Sequence, residues 1–211
     1  MKIVFFGDSI TDMGRDYKVD YHPTGYGAGY VNNIASELMF EKPGKYDIIN
    51  RGISGNRVID LYARIKSDLW NLNPDVISIL IGVNDVWHEI FCKNGVDIVR
   101  FEKIYRMIIE DTLKVLPNIK FILVEPFVLL GCETKDNIDE FNEVRNYAKV
   151  VEALAKEYNL SFVPLQDKFD DLANKYGGRS YLVDGVHPDV AGAKLITNEW
   201  LKVFKREIDT N

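Results

Sequence analysis

The feature that most constrains this chain is an alternation. Five short apolar runs, at 3–6, 46–49, 76–81, 121–124 and 160–163, are separated by stretches whose apolar residues recur every three or four positions. Short runs rich in β-branched and aromatic residues read as buried strands, and the intervening period reads as amphipathic helix. The run at 76–81 is nearly all apolar, as a strand covered on both faces has to be. Helical connections of this length join parallel strands. The pattern therefore predicts an α/β fold, a parallel sheet covered by helices on both faces. No repeat, low-complexity tract or linker divides the chain, and 211 residues suit one compact domain, expected to span 1–211.

Helices are expected from about Tyr30, at 58–69, from Ile98 to near Pro117, from 138 to 158 behind a cap at Asp136 or Asn137, briefly around Phe169 and Leu172, and at 190–204. Residues 82–85 and 89–95 read as irregular. Residues 13–30 fit neither period and predict a long loop that leaves the sheet beside Ser9. Such loops are often functional, and a plain surface loop is the equal alternative.

The loops after parallel strands emerge at one sheet edge, where ligands bind in this class of fold. The first run ends in GDSIT at 7–11, which puts Ser9 just past a strand. The second is followed by NRGISGN at 50–56 and the third by GVND at 82–85. Ser9, Gly52 and Asn84 are thus predicted to converge. A serine hydroxyl is a poor nucleophile at neutral pH and needs a base such as imidazole, with a carboxylate to fix its tautomer. Of the three histidines, His187 lies in DGVHP at 184–188. Pro188 keeps His187 out of helical geometry and suits the first turn of the closing helix. Asp184, three residues earlier, can fold back onto the ring. A developing oxyanion needs preorganised donors. The Ser9 N–H, the Gly52 N–H and the Asn84 amide can supply three, and Gly52 has no side chain to block close approach.

These four blocks, in this order, resemble the SGNH hydrolases, also known as GDSL-type esterases and acylhydrolases. The resemblance covers nearly the whole chain. It implies a three-layer α/β/α flavodoxin-like fold with five parallel strands. It also implies Ser9 as nucleophile, His187 as base, Asp184 as its orienting acid, and Ser9, Gly52 and Asn84 as the oxyanion hole. The phrases at 13–15 and 24–30, with ISGN, IGVNDVW and the Pro-Phe after the fourth strand, are similar to intracellular esterases that remove acetyl groups from xylo-oligosaccharides. The chain departs from them at 17–23 and at Glu125. The reaction implied is hydrolysis of short-chain acyl esters of carbohydrates through an acyl-enzyme, with no metal or organic cofactor.

Asp8, Tyr26, Trp87 and Glu125 lie where they can meet substrate. Asp8 reads more readily as holding the turn, and Glu125 serves equally well in its own loop. Arg57 reads as structural, while His22 and His88 stand outside the four blocks. A net charge of -6 argues against a surface that tracks nucleic-acid phosphates. No apolar segment is long enough for a membrane span. The first apolar run is too short for a signal peptide, so the expected location is cytoplasmic. Cys92 and Cys132 have neither metal-ligand spacing nor the makings of a disulfide framework. The expected partner is a small-molecule ester, with homo-oligomerisation through surface aromatics such as Phe91 as a further candidate. Two other functions stay open: an acylhydrolase of lipids or thioesters, and a flavodoxin-like module that holds a nucleotide or flavin on backbone N–H groups. The second lacks any phosphate-binding fingerprint.

Overall fold

The computed structural model describes residues 1–210. β1 (Lys2–Gly7) runs straight into a single helical turn, α1 (Ser9–Asp12), followed by α2 (Pro23–Tyr26) and α3 (Tyr30–Glu41). Then come β2 (Asp47–Gly52), α4 (Val58–Asp68), β3 (Val76–Leu80), α5 (Val83–Cys92), α6 (Ile98–Val115) and β4 (Lys120–Val124). The chain ends with α7 (Ile138–Phe141), α8 (Val144–Glu157), β5 (Ser161–Val163), α9 (Gln166–Tyr176) and α10 (Val190–Glu207).

The strands form one parallel sheet in the order β2-β1-β3-β4-β5. In this order β2 lies on one side of β1 and β3 to β5 on the other, so the crossovers reverse direction and the helices divide between two faces. α3 and α10 pack together on one, and α4, α6 and α8 pack in sequence on the other. All of β3 is buried. Trp200 of α10 lies against Phe5, stacks on Phe204, and donates its Nε1–H to Ser78 Oγ at 2.9 Å. The one polar side chain of that central strand is thereby satisfied.

The register aligns Gly52, Gly7, Leu80, Val124 and Val163 in a row across the sheet. Everything that follows this row leaves at one edge, which is how the polar loops come together.

The structure differs from the sequence reading in three places. α5 begins at Val83, directly after Gly82 at φ +141°, and runs through residues expected to be loop. Asn84 and Asp85 are turn formers by type, but Asp85 is buried and accepts the Val58 N–H at the start of α4 with both oxygens. The single helix expected over 138–158 is two, broken at Asn142 and Glu143 between α7 and α8. The stretch 13–30 contains α2, which has Pro23 in its first turn and His22 Nδ1 accepting the Thr24 N–H. That stretch is clasped at its base by the Asp16 N–H on the Thr24 carbonyl at 2.8 Å, and Arg51 holds Asp20 through two hydrogen bonds of 2.6 and 2.8 Å.

Candidate active site

Ser9 is the first residue of α1. Asp8, just before it, accepts the Ile10 N–H on Oδ1 at 2.9 Å and so caps this turn. The cap holds Ser9 half-exposed at the sheet edge. Ser9 Oγ lies 2.8 Å from His187 Nε2, and His187 Nδ1 lies 2.6 Å from Asp184 Oδ2. The other Asp184 oxygen accepts the backbone N–H groups of Val186 and His187 at 2.9 and 2.7 Å. Burial alone pushes the Asp184 carboxyl up, but the hydrogen bonds from the His187 ring and from these two N–H groups bring it down to about 2. The same bond holds His187 above its ordinary value against the effect of burial.

The acid is also gripped from behind. The segment after β4 folds over the 184–185 peptide: the Leu129 N–H donates to the Gly185 carbonyl at 2.8 Å, and the Glu133 N–H to the Asp184 carbonyl at 3.1 Å. Thr134, fully buried, ties this turn together by donating to the Leu129 carbonyl and accepting the Gly131 N–H. Gly131 sits so close that a Cβ there would lie 2.2 Å from Asp184 and Gly185 backbone atoms.

A second hub is Asp12, at the end of α1. Its Oδ2 accepts the Ser54 N–H and hydroxyl at 3.1 and 2.8 Å, together with the Tyr17 hydroxyl. Asp12 thus links the turn that carries Ser9, the 13–30 stretch and the loop after β2. On the far side of that loop, Asn84 Nδ2 donates to the Asn56 carbonyl at 3.1 Å, leaving its second N–H for another acceptor. The 53–56 turn is thus tied to α1 at Ser54 and to α5 at Asn56. The sequence reading missed Asp12, Gly131 and Thr134. Only the glycine carried a local signal, and its backbone neighbour is more than fifty residues away.

Several of the expected site residues are used differently. The Gly52 N–H, expected to face an oxyanion, donates to Asn50 Oδ1 at 2.8 Å. Gly52 is a glycine because a Cβ would lie 2.2 Å from the Asp12 nitrogen. Gly55, three residues on, has φ +80° and open space where a Cβ would be. The N–H groups of Ser9 and Gly55 have no acceptor among the described residues. Asp8 is buried and away from solvent, with Oδ2 unpartnered among the described residues; burial pushes its carboxyl up to about 7. Tyr26 is buried in the core, and its carbonyl accepts Asn50 Nδ2. Glu125 Oε2 accepts the Leu165 and Gln166 N–H groups at 2.5 and 2.8 Å, holding the start of α9. These three side chains serve the scaffold. Arg57 pairs with Asp60 at 3.0 Å, as a structural residue does. Trp87 alone of the four candidates stands at the site, its ring centroid 6.3 Å from that of His187.

Cys92 and Cys132 are free and exposed. Among the described residues no helix is long and apolar enough to cross a membrane.

Residues 5–195 match the family model described as GDSL-like Lipase/Acylhydrolase family. An acetylxylan esterase of Geobacillus stearothermophilus is 34% identical over 207 residues, which are 95% of this chain and 92% of that protein. Its crystal structure has a TM-score of 0.85 to this chain at 33% identity, covering 95% of this chain and 92% of that one. A GDSL-like lipase candidate from Parabacteroides merdae has a TM-score of 0.88 at 38% identity, covering 96% and 94%. Solved forms of the Geobacillus enzyme include alanine substitutions of a serine, an aspartate and a histidine, each called a catalytic mutant, with the aspartate three positions before the histidine.

Proposed function

We propose that this chain, which belongs to the GDSL-like lipase/acylhydrolase family, removes acetyl groups from acetylated carbohydrates through a serine-bound acyl intermediate. Membership makes it a serine carboxylic-ester hydrolase. The finer reading rests on one observation, the unbroken path from Ser9 Oγ through His187 to Asp184 at 2.8 and 2.6 Å. It draws further support from the acetylxylan esterase, whose catalytic mutants have the spacing of Asp184 and His187.

In this mechanism Ser9 Oγ attacks the acyl carbon as its proton passes to His187 Nε2. Asp184 holds the ring in the tautomer that leaves Nε2 free, and stabilises the imidazolium that forms. The carbonyl oxygen becomes an oxyanion and is met by the N–H groups of Ser9 and Gly55 and by the free N–H of Asn84. Gly55 takes the part that the sequence reading gave to Gly52, because its hydrogen is unspent. Collapse breaks the ester bond, and Nε2 returns the proton to the leaving alcohol. Water then repeats the attack on the acyl-serine, with His187 again as base, and releases the acid.

The test is acetate release from acetylated xylo-oligosaccharides, alongside p-nitrophenyl acetate and octanoate. Wild type is expected to release acetate and to favour the acetate ester. Ser9→Ala, with its fold intact by circular dichroism, loses roughly 10⁴–10⁶ of kcat on both. Strong preference for octanoate with no release from sugars moves the assignment to a lipid acylhydrolase. Full activity in Ser9→Ala overturns the mechanism.

A further inference from the structure

The alcohol half of the ester has to lie beside His187, because Nε2 returns its proton to the leaving oxygen. An aromatic neighbour of His187 is therefore placed to meet the alcohol half of the ester. That neighbour is Trp87. Trp87 lies three residues after Asn84 on α5, and Phe91 follows four residues later, so the three share one helical face. Exposure rises along the face: Asn84 is buried, Trp87 is half-buried, and Phe91 is 52% exposed. Phe141 of α7 is fully buried behind both rings, edge-on to Trp87 at 5.2 Å and 6.3 Å from Phe91. Trp87 and Phe91 are themselves 5.9 Å apart.

From Asn84 to Phe91 the helix rises ~10 Å, room for two linked sugar rings in file. We infer that this face of α5, backed by Phe141, is an alcohol-side subsite that takes at least two sugar units. The ring carrying the ester lies with its C–H face on Trp87, and the next unit lies on Phe91. The inference rests on the carbohydrate reading of the site given above. Charge argues for the same occupant. The adjoining face of α5 lines a cavity of about 490 Å³ with Val86, Glu89 and Ile90, and Asp97, Glu140 and Glu143 also line it, so four carboxylates stand against one cation, Lys93. Carboxylates in that position oppose the phosphates of a lysophospholipid or an acyl-coenzyme thioester and accept the hydroxyls of a neutral sugar. A broad aromatic wall with a polar rim is also the usual form of a site that grips a flat-faced ligand.

The experiment compares Phe91→Ala and Phe91→Trp with wild type on two probes, an O-acetylated methyl xyloside and O-acetylated xylotriose. Phe40→Ala, whose ring is 86% exposed on α3, serves as a control for any exposed aromatic. Phe91→Ala is expected to raise KM for the trisaccharide roughly 3–10-fold with little change in kcat, to change the monosaccharide far less, and to be rescued by Phe91→Trp. Equal losses on both probes, or no loss on either, overturn the subsite while leaving the carbohydrate reading standing. A loss that tracks a change in association state by size-exclusion chromatography also overturns it and makes Phe91 an interface residue. If wild type cleaves p-nitrophenyl acetate but neither acetylated sugar, the carbohydrate reading fails and the subsite fails with it.

Discussion

Replacing Gly131 with alanine tests whether the turn after β4 holds Asp184, the carboxylate proposed to orient His187, in place. The added Cβ would stand 2.2 Å from the Asp184 carbonyl carbon and oxygen and from the Gly185 nitrogen. All three are backbone atoms, so no change of rotamer relieves the contact. The gap has to open by more than an ångström to reach the 3.4 Å at which ordinary contact begins. Two backbone hydrogen bonds, from Leu129 and Glu133, lock the segments together and resist that opening. Overpacking of this kind costs about 1–3 kcal/mol, or roughly 3–10 °C in Tm for a chain of this size. The displacement falls on Asp184, whose 2.6 Å bond to His187 does not survive a shift of an ångström or more. Misplacement on that scale costs about 10²-fold in kcat. The upper limit is the ~10⁴-fold seen when a triad carboxylate is lost outright. Thermal melts and kcat on p-nitrophenyl acetate, each measured across pH, read both effects. If Tm falls while kcat and its acid limb stay at wild-type values, the turn packs against the acid without positioning it, and the reasoning is wrong.

The other expectations follow from the same geometry. Because Asp184 and, at longer range, Asp8 raise the His187 pKa, kcat/KM should fall with pH through a limb lying above the ordinary imidazole value of 6.5. Asp184→Asn should move that limb down and cut kcat ~10⁴-fold. Stability should run the other way. The raised His187 adds stability that is full below 6.5 and lost as pH rises through its folded value, while the depressed Asp184 adds stability above 3.8 that is lost as pH falls toward about 2. Melts across pH should therefore show the site contributing most to stability on the acid side of the activity optimum. Asn84→Ala should lower kcat roughly 10²–10³-fold with little change in KM, and an unaltered kcat would remove Asn84 from the oxyanion site. Glu125→Ala should cost about 1–2 kcal/mol by uncapping α9 and leave kcat on p-nitrophenyl acetate within twofold of wild type.

Much of this was legible in the sequence for reasons that can be named. Period 2 and period 3.6 patterns are local, and a parallel sheet brings the ends of β1, β2 and β3 together without further information. Asp184 and His187 are close in sequence, and their ring-to-carboxylate contact needs only a local turn, formed by Gly185 at φ +104° and by the Val186 and His187 N–H groups on Asp184 Oδ1. Where the sequence left two readings open, or gave the wrong one at Gly52, the cause is that a position just after a strand serves equally for lining a site and for bracing it. Glu125 and Asp8 both lie there, and both are spent on backbone N–H groups. Gly52 ends β2 and Gly55 lies three residues on in the loop, and what separates them is Asn50, which takes the first N–H and leaves the second. The start of α5 was hidden because a turn-forming Asp85 is held in the helix by the distant Val58 N–H.

The clasp between Asp16 and Thr24 has a consequence for descent. Its single backbone bond seals the base of an excursion that begins one residue after the last backbone link to α1. Chain inserted between Tyr17, which still reaches Asp12, and Thr24 leaves both the clasp and that tie in place, and doubling the excursion costs only about 0.6 kcal/mol in closure entropy. Relatives can therefore diverge in the length of this one segment while the bonds that hold the turn carrying Ser9 are kept.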